Sequence, residues 1–269
     1  MSSLSNKVIW VTGASSGIGD ALVYELARQN TKLILSSRRT EELERVKGNC
    51  PAQAQANIRI LPLDLSQAST LNLSAQAAIQ IFGHIDVLVN NGGISQRALA
   101  KETTLEVDRK IMEIDYFGTI TLTKALIPHF IERKQGHFVT VSSITGIIGT
   151  PYRTAYAAAK HALQGFFNSL RAELWKESPS IYVTMICPGW TNTNLSLTAL
   201  KGDGSAQGKK DETHAHGLTP VFVAGKIAGA IKNHTREIYV GGWKETLAAY
   251  LHRFTPGLFA RIVRKAKVK

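Results

Sequence analysis

The sequence predicts a single doubly wound α/β domain with a mostly parallel seven-stranded sheet. Short apolar segments alternate with longer segments of helical period from residue 8 to residue 240. Strands that are apolar on both faces are typical of a parallel sheet that helices cover on both sides. A glycine-rich turn follows the first apolar segment, and no internal repeat or long low-complexity linker interrupts the chain. Regular alternation of this kind favours one domain over two.

Each element rests on its own local pattern. Seven apolar runs predict strands at 8–11, 32–36, 58–63, 86–89, 136–141, 181–186 and 237–240. The stretches between them have helical period and few turn residues, and they predict helices at 21–28, 40–47, 75–81, 105–133 and 155–175. Thr40 is the expected cap of the second helix, and the stretch at 105–133 includes a loop before its helix.

Two segments depart from the alternation. Residues 194–217 are largely polar and carry four glycines, so they predict a lid-like insertion that is either a mobile lid or a disordered loop. The C-terminal segment 254–269 has apolar residues at helical spacing, and the stretch from Arg253 to Lys269 has six basic residues and no acidic one. This pattern predicts an amphipathic helix that packs on the domain or on a second subunit, with weak contact to an anionic membrane as the alternative.

The composition limits the possible classes of protein. Apolar residues make up 44% of the chain, which excludes a disordered protein, and two cysteines are too few for a disulfide scaffold. The net charge of +12 would attract nucleic acid, but the chain has neither zinc-finger spacing nor an aromatic–basic RNA-binding motif, so neither nucleic acid nor a metal is an expected partner. No run approaches the roughly 18 apolar residues of a membrane span, and no secretory signal is visible. We expect a cytoplasmic protein, with peripheral membrane contact as an option.

The turn after the first strand runs from Thr12 to Gly19, with glycines in the spacing G-x-x-x-G-x-G. Glycine allows a tight turn and a close approach of backbone N–H groups to a phosphate, and the N-terminus of the following helix favours an anion. Ser15 and Ser16 can also donate hydrogen bonds to phosphate oxygens. The pattern favours nucleotide binding, although glycine-rich turns also occur for packing reasons.

The end of the second strand bears on which dinucleotide would bind. A carboxylate at this place binds the ribose 2′-hydroxyl of NAD. The chain instead reads Ser36-Ser37-Arg38-Arg39, and a guanidinium can make charge-assisted bonds to a 2′-phosphate. The sequence therefore favours NADP(H) over NAD(H). The alternative is that both arginines belong to a solvated helix start beside two glutamates.

Tyr156 and Lys160 are four residues apart in a segment predicted to be helical, so they share one helix face. A lysine ammonium near a phenol favours the phenolate, and such a tyrosine can exchange a proton with a carbonyl oxygen. Ser143 lies at the end of the fifth strand, thirteen residues before Tyr156, and ligands bind at the carboxyl ends of parallel strands. The pair alone would suit an ordinary surface helix, but the serine favours a catalytic site.

Together these motifs resemble the short-chain dehydrogenase/reductase family, whose domain is Rossmann-like. The resemblance runs from Lys7 to about Val240 and comprises five motifs in family order: Thr12 to Gly19; Asp64; Asn90-Asn91-Gly92-Gly93; Ser143 with Tyr156 and Lys160; and Pro188-Gly189 with Thr193. Two segments, Ser36 to Arg39 and Thr191 to Ser196, and the basic C-terminus look most like the branch that contains the dehydrogenase/reductase member 7 proteins.

The resemblance implies an NADP(H)-dependent oxidoreductase that interconverts a carbonyl and an alcohol. Tyr156 would be the general acid or base, Lys160 would assist it and hold the nicotinamide ribose, and Ser143 would bind the substrate oxygen. The residues that the resemblance assigns to the cofactor are Gly13, Ser15, Ser16, Gly17, Ile18, Gly19, Ser37, Arg38, Arg39, Asp64, Leu65, Asn90, Asn91, Gly92, Tyr156, Lys160, Pro188, Gly189, Thr191 and Thr193.

One residue departs from the family pattern. The family usually has an asparagine in the long helix, where it holds a water that relays protons to the lysine, and Asp115 occupies that place. A carboxylate still accepts hydrogen bonds from water, but it would oppose phenolate formation and support the ammonium. Asp115 is therefore expected either to keep a catalytic role with an activity optimum at higher pH, or to be a structural substitute with little kinetic effect. The alternative function is a catalytically impaired NADP-binding sensor or interaction protein.

The expected substrate is a hydrophobic small molecule that carries a carbonyl or alcohol group. Its predicted contacts are Gln96 and Trp190 besides Ser143, within aromatic and aliphatic walls. The resemblance also implies a homodimer or homotetramer that forms through the two long helices at 105–133 and 155–175.

Overall fold

The computed structural model describes residues 3–209 and 216–264, and its centre is a seven-stranded sheet. The strands are β1 (Val8–Thr12), β2 (Lys32–Ser36), β3 (Ile58–Ile60), β4 (Val87–Asn90), β5 (Gly136–Val141), β6 (Ile181–Pro188) and β7 (Glu237–Val240). Their order in the sheet is β3-β2-β1-β4-β5-β6-β7, and every pair of neighbours is parallel. The predicted fold class is confirmed, and the sheet is parallel throughout.

Helices connect the strands and cover both faces of the sheet. The α-helices are α1 (Ile18–Ala27), α2 (Thr40–Gly48), α3 (Ala52–Gln55), α4 (Ala68–Phe82), α5 (Leu105–Met112), α6 (Thr119–Arg133), α7 (Thr154–Glu177), α8 (Pro220–Lys232), α9 (Trp243–Phe254) and α10 (Pro256–Arg264). Parallel strands need such crossovers, because a tight hairpin can join only antiparallel strands.

Two apolar layers, one on each face of the sheet, hold the helices in place. Leu22 of α1 and Ile227 of α8 belong to one layer, while Phe130 of α6 and Phe167 of α7 belong to the other, and all four side chains are buried. Every residue of β1 is buried as well. A central strand that is covered on both faces has no solvent-facing position, which explains the continuous apolar runs in the sequence.

The strand order reverses beside β1, and this reversal positions the site. The chain runs outward from β1 to β2 and β3, and it then returns to β4 on the other side of β1. The connections after β1 and β4 therefore leave the sheet edge in opposite directions and open a crevice between them. Ligands of doubly wound proteins bind in this crevice, at the carboxyl ends of the strands.

The helix predicted at 105–133 contains a π-helical turn, Glu113–Gly118, between α5 and α6. A side chain on Gly118 would clash with the carbonyl oxygen of Leu65, so this turn passes close to the loop after β3. Helical periodicity in a sequence does not reveal a single wide turn of this kind. Asp115 lies within it.

Other element ends also differ from the sequence predictions. β3 ends at Ile60 instead of residue 63. Thr40 is the first residue of α2 and makes no side-chain capping bond, because Arg39 occupies the cap position. α4 extends beyond the predicted helix at both ends, and α9 has no counterpart among the predicted helices. Element ends depend on capping and tertiary contacts more than on apolar spacing.

The described part of the insertion packs against the domain. Leu200 forms backbone bridges with Gln96 and Ala206, and a side chain on Gly202 would clash with the carbonyl oxygen of Glu102. Residues 194–209 therefore form a wall beside the loop after β4. Residues 210–215 of the predicted lid lie outside the described residues.

The C-terminal helices pack on the loop that follows β5. Phe259 of α10 is buried in a small apolar cluster with Ile144, Ile148 and Ala249. This contact places α10 beside the carboxyl ends of the strands, over the crevice. Residues 265–269, the last part of the predicted amphipathic segment, lie outside the described residues.

Candidate active site

A cavity of about 950 Å³ runs along the carboxyl ends of β1, β4, β5 and β6. Its walls are the glycine turn, the loops after β2 and β4, the start of α7, the described part of the insertion and α10. Ligand cavities in proteins typically measure roughly 300–1,000 Å³, so this one has room for a large ligand or for two ligands side by side.

The glycine turn forms one end of the cavity. Gly13 and Gly17 have φ values of +64° and +65°, in the left-handed region that favours glycine. A Cβ on Gly13 would lie 2.7 Å from the Cα of Gly92, so the turn touches the loop after β4. Asn91 strengthens this contact, because its amide Nδ2 donates to the carbonyl oxygen of Gly13 at 3.1 Å. The turn thus presents backbone at its surface, as a cradle for phosphates does.

The two arginines after β2 lie at the margin of this end of the cavity. The Arg39 guanidinium donates from Nη2 to the hydroxyl oxygens of Ser15 and Ser16, each at 3.1 Å. Arg38 is exposed and also lines the cavity. The glycine turn and the loop after β2 therefore bring hydroxyl, guanidinium and backbone donors together. This donor set suits an anion, and its residues fit the phosphates of a dinucleotide.

All the residues that the resemblance assigned to the cofactor line the cavity except Gly19 and Asn90. A side chain on Gly19 would clash with the carbonyl oxygen of Gly13, so this glycine permits the turn to close on its helix. Asn90 is buried behind the loop, and its Nδ2 donates to Thr123 Oγ1 at 3.0 Å. Both residues thus have packing roles in the structure, and their expected contacts with the cofactor stay a prediction.

The proposed catalytic side chains lie at the middle of the cavity. Tyr156 and Lys160 are on the first turns of α7, and the Lys160 Nζ atom is 5.5 Å from the centroid of the Tyr156 ring. Ser143 follows β5, and its Oγ accepts a hydrogen bond from the backbone N–H of Thr145 at 3.1 Å. All three side chains line the cavity. The fold thus joins residues from β5 and α7 with the glycine turn.

Asp115 reaches this group from the π-helical turn. Its side chain is buried, with Oδ2 at 3.2 Å from Lys160 Nζ and with Oδ1 accepting from the backbone N–H of Ile94 at 2.7 Å. Burial raises the pKa of the Asp115 carboxyl, which favours the neutral acid. Burial by itself lowers the pKa of Lys160, but the nearby carboxylate outweighs it and the net shift is upward. The raised pKa of Asp115 favours a neutral carboxyl, whereas the raised pKa of Lys160 favours a charged ammonium. The contact of Asp115 with Lys160 and the hydrogen bond from the Ile94 N–H stabilise the carboxylate, so the ion pair is favoured at neutral pH.

Arg153 also belongs to the cavity, although no sequence pattern pointed to it. Its side chain is buried, and Nη1 donates to Ser95 Oγ at 2.8 Å. The guanidinium carbon lies 5.7 Å from the centroid of the Tyr156 ring and 5.1 Å from that of Trp190. An arginine three residues before Tyr156 was visible in the sequence, but its burial against two rings depends on the fold.

Gln96, in contrast, does not reach the cavity. It is fully buried, its Nε2 donates to Thr103 Oγ1 at 2.7 Å, and its Oε1 accepts from the backbone N–H of Ala155 at 2.9 Å. The predicted contact of Gln96 with substrate is therefore corrected to a structural role that joins the loop after β4 to the start of α7. Trp190, the other predicted wall residue, does line the cavity.

The remaining wall of the cavity is largely apolar. Its apolar side chains come from the loop after β5, the insertion and α10, and they are Ile144, Ile148, Leu195, Leu197, Leu200, Phe259, Ile262 and Val263. The three residues of α10 were not among the predicted wall residues, because they are distant in sequence from every motif.

The structure bears on two further classes of site. Within residues 3–209 and 216–264, no group of three histidine, cysteine, aspartate or glutamate side chains could hold a metal ion. In the same part of the chain, no helix has the length and apolar content needed to cross a membrane.

Comparison with known sequences places these features in a family. The family model for short chain dehydrogenase matches residues 7–202. The human protein dehydrogenase/reductase SDR family member 7 is 43% identical over 256 residues, which cover 94% of this chain and 75% of that protein. The mouse protein dehydrogenase/reductase SDR family member 7B is 41% identical over 263 residues, which cover 97% of this chain and 81% of that protein.

Solved structures share the fold. A short-chain dehydrogenase/reductase from Burkholderia phymatum in complex with NAD has a TM-score of 0.84 at 20% identity, over 96% of both chains. A short-chain dehydrogenase from Streptomyces avermitilis has a TM-score of 0.80 at 27% identity, over 97% of this chain and 98% of that chain. An alcohol dehydrogenase from the archaeon Thermococcus sibiricus, complexed with 5-hydroxy-NADP, has a TM-score of 0.74 at 23% identity, over 89% of this chain and 97% of that chain.

The family model covers most of the chain, and the sequence relatives exceed 40% identity over nearly all of it. The parallel sheet, the glycine turn and the cavity at the strand ends are the structural counterpart of that match. The chain therefore belongs to the short-chain dehydrogenase/reductase family of oxidoreductases, in the branch of the family member 7 proteins.

Proposed function

We propose that the protein is an NADP(H)-dependent oxidoreductase that interconverts a carbonyl and an alcohol on a hydrophobic small molecule. The observation that supports this most is that Tyr156, Lys160 and Ser143 line the same cavity as the glycine turn. A group that can exchange a proton, a cation beside it and a hydroxyl for the substrate oxygen thus lie next to a cradle for a dinucleotide.

Each of the three side chains has a distinct task in this proposal. The Tyr156 hydroxyl gives a proton to the carbonyl oxygen in reduction and takes it back in alcohol oxidation. The buried Lys160 ammonium stabilises the phenolate by its charge. The Ser143 hydroxyl donates to the substrate oxygen, where negative charge develops. A bound nicotinamide supplies or accepts the hydride.

The loop after β2 supports a preference for NADP(H). β2 ends without a carboxylate, so no acidic side chain at the strand end would bind a ribose 2′-hydroxyl or repel a 2′-phosphate. Arg38 and Arg39 occupy this margin of the cavity, and Arg39 already contacts two hydroxyls of the glycine turn. Their guanidinium groups provide charge and paired donors for a phosphate.

A thermal-shift titration with NADPH and NADH tests cofactor binding, because a ligand of the native state raises its apparent stability by mass action. We expect NADPH to bind at least tenfold more tightly than NADH. In Arg38→Ala/Arg39→Ala this preference should disappear while NADH binding persists. Arg28→Ala, which removes an exposed arginine at the end of α1, is the matched control and should keep the preference.

The results test the cofactor preference, the enzyme assignment and the substrate class separately. Equal shifts with NADPH and NADH in the unaltered protein would contradict the NADP(H) preference alone. No shift with either nucleotide would contradict the enzyme assignment itself. A panel of aromatic, aliphatic and steroidal ketones then tests the substrate class, and turnover of small charged ketones alone would contradict a hydrophobic substrate.

A second function, an NADP-binding sensor with impaired catalysis, is favoured by one observation. Asp115 lies 3.2 Å from Lys160, so a carboxylate holds the cation that should assist Tyr156. A sensor binds NADPH without oxidising it. Single-turnover measurements of NADPH absorbance with the ketone panel distinguish the two functions, since only the enzyme consumes bound NADPH.

The proposal includes the assembly and the location of the protein. A homodimer or homotetramer through α6 and α7 is supported by Phe117 and Trp175, which are 45% and 68% exposed at the ends of this helix pair. Light scattering should give a mass of two or four chains, and a single chain would contradict the assembly. A fluorescent fusion should be cytoplasmic, with a membrane-associated fraction if the C-terminal helices contact lipid.

A further inference from the structure

The two C-terminal helices expose six large apolar side chains. Four large side chains recur on α9 at spacings of four, three and four residues, which keeps them on one helix face. They and two side chains of α10 form the C-terminal apolar strip, and their exposed fractions are 72% for Trp243, 45% for Leu247, 52% for Tyr250, 72% for Phe254, 51% for Leu258 and 47% for Ile262. A large contiguous apolar surface on a folded protein marks an interaction site.

Apart from Glu245, the charged residues of α9 and α10 are basic. Arg253, Arg261 and Arg264 are exposed, and the chain has no carboxylate from residue 246 to residue 264. Glu245 is the acidic residue of the two helices, and it lines the cavity. The strip is therefore an apolar and aromatic surface with a basic border.

The strip also adjoins the mouth of the cavity. Phe259 and Val263 of α10 line the cavity, whereas Leu258 is 51% exposed and does not line it. Ile262 belongs to both surfaces, because it lines the cavity and is still 47% exposed. A molecule that moves from the strip into the cavity would therefore pass along α10.

We propose that the C-terminal apolar strip binds the surface of an anionic lipid membrane and turns the mouth of the cavity toward the bilayer. Tryptophan, tyrosine and phenylalanine are favoured at the boundary between headgroups and acyl chains. Basic residues near an anionic lipid surface add electrostatic attraction to the apolar contact. A second copy of the chain is the less suitable partner, because two arginine-bordered strips repel each other.

The consequence for the substrate rests on the proposed function. A hydrophobic carbonyl compound partitions into the bilayer, and the contact of α10 with lipid gives it a short path along Ile262 to Tyr156. The membrane contact itself does not depend on catalysis, so it can be measured without turnover.

Flotation of the full-length protein with lipid vesicles tests the membrane contact. We expect vesicles of phosphatidylcholine with phosphatidylglycerol to bind at least tenfold more protein than vesicles of phosphatidylcholine alone. Binding should decrease at high salt, because salt screens the attraction between arginines and headgroups. Phe254→Glu/Leu258→Glu should reduce binding at least tenfold. Leu73→Glu/Val221→Glu, which changes two side chains that are each 67% exposed elsewhere, is the matched control and should bind as the unaltered protein does.

The thermal shift with NADPH reports the fold and the cofactor site of every variant separately from vesicle binding. If NADPH causes no thermal shift in the unaltered protein, the proposed function is contradicted. That result would not contradict the membrane contact. Equal flotation of the unaltered protein and Phe254→Glu/Leu258→Glu would overturn the membrane proposal. So would the absence of flotation combined with an oligomer that Phe254→Glu/Leu258→Glu dissociates, since the strip would then be a contact between copies.

Discussion

The Lys160 ammonium and the Asp115 carboxylate are 3.2 Å apart and both are buried, and Lys160 Nζ lies 5.5 Å from the centroid of the Tyr156 ring. The π-helical turn sets this distance by bringing Asp115 toward α7, and the N–H of Ile94 holds the other carboxylate oxygen. The lysine thus has two electrostatic neighbours, the carboxylate and the phenol. Both groups interact with the charge of the ammonium, so the carboxylate competes with the phenolate for it.

Asp115→Asn should move the pH–rate profile of alcohol oxidation to lower pH by roughly one unit, because removal of the carboxylate leaves the ammonium to favour the phenolate alone. The profile is measured with saturating cofactor. Glu106→Gln, an exposed carboxylate on the preceding helix α5, is the control and should leave the profile unchanged. An unchanged profile in Asp115→Asn would show that Asp115 is a structural substitute.

Tyr156→Phe should reduce kcat by about 10²–10⁴-fold, since it removes the proposed proton donor and leaves the ring in place. The thermal shift with NADPH should persist, because the glycine turn and the loop after β2 are untouched. Both quantities are measured on the same preparation. Retention of most of the kcat would mean that another group transfers the proton.

Arg153 lies against the rings of Tyr156 and Trp190, and we expect it to position both. Arg153→Met should lower kcat/KM by about tenfold, equivalent to the roughly 1.4 kcal/mol of one cation–aromatic contact in a buried place. Arg153→Lys keeps the charge and should recover part of the loss, while NADPH binding stays the same in both variants. Equal activity in Arg153→Lys and Arg153→Met would mean that the charge has no part in the effect.

Gly13→Ala should destabilise the protein and weaken NADPH binding. The residue has a φ of +64°, and a Cβ would lie 2.7 Å from the Cα of Gly92, so both backbone strain and a steric clash oppose the change. We expect a loss of about 1–3 kcal/mol in the free energy of unfolding. Gly225→Ala, in the interior of α8 with nothing within 4 Å of the new Cβ, is the control and should increase stability by up to about 1 kcal/mol. Equal stability of the two variants would contradict the close approach.

His137 should make the protein less stable below pH 6.5. Burial lowers the pKa of its imidazole to about 3, and the nearby His234 acts in the same direction. The unfolded chain therefore binds one more proton than the native state between about pH 3 and pH 6.5, so this contribution is complete above pH 6.5 and is lost as the pH falls through that range. Each pH unit by which the pH falls within this range lowers the free energy of unfolding by about 1.4 kcal/mol.

Urea unfolding at a series of pH values measures this dependence. His137→Gln should have a shallower decrease in the free energy of unfolding between pH 6.5 and pH 5, whatever its stability at neutral pH. His161→Gln removes an exposed histidine of α7 and should retain the full decrease. Parallel curves for the unaltered protein and His137→Gln would show that the imidazole is not the group that titrates.

The strands and the Tyr156–Lys160 pair could be predicted because the patterns behind them are local. A strand buried on both faces must be apolar along its length, and two residues four apart on a helix must share a face. The resemblance to a family added the order of the motifs along the chain. These signals need no knowledge of which segments meet in space.

The residues that were misplaced or missed depend on contacts between distant segments. Gln96 and Asn90 were expected in the cavity, but hydrogen bonds to α7 and α6 hold them behind it. Arg153 and Phe259 were missed because their burial depends on packing against Trp190 and against the loop after β5. Polar or aromatic residue type alone does not decide whether a side chain faces a cavity or a neighbouring helix.

The sequence by itself determined the parallel sheet, the glycine turn after β1 and the identities of the groups that can exchange protons, because each depends on residue type at short spacing. Only the tertiary structure decided which of these groups share one cavity, how Asp115 reaches Lys160 through a π-helical turn, and that α10 lines the apolar wall of the cavity. These features require segments more than a hundred residues apart, such as β1 and α10, to meet at the carboxyl edge of the sheet. The burial of two apolar layers fixes that meeting, and no local pattern encodes it.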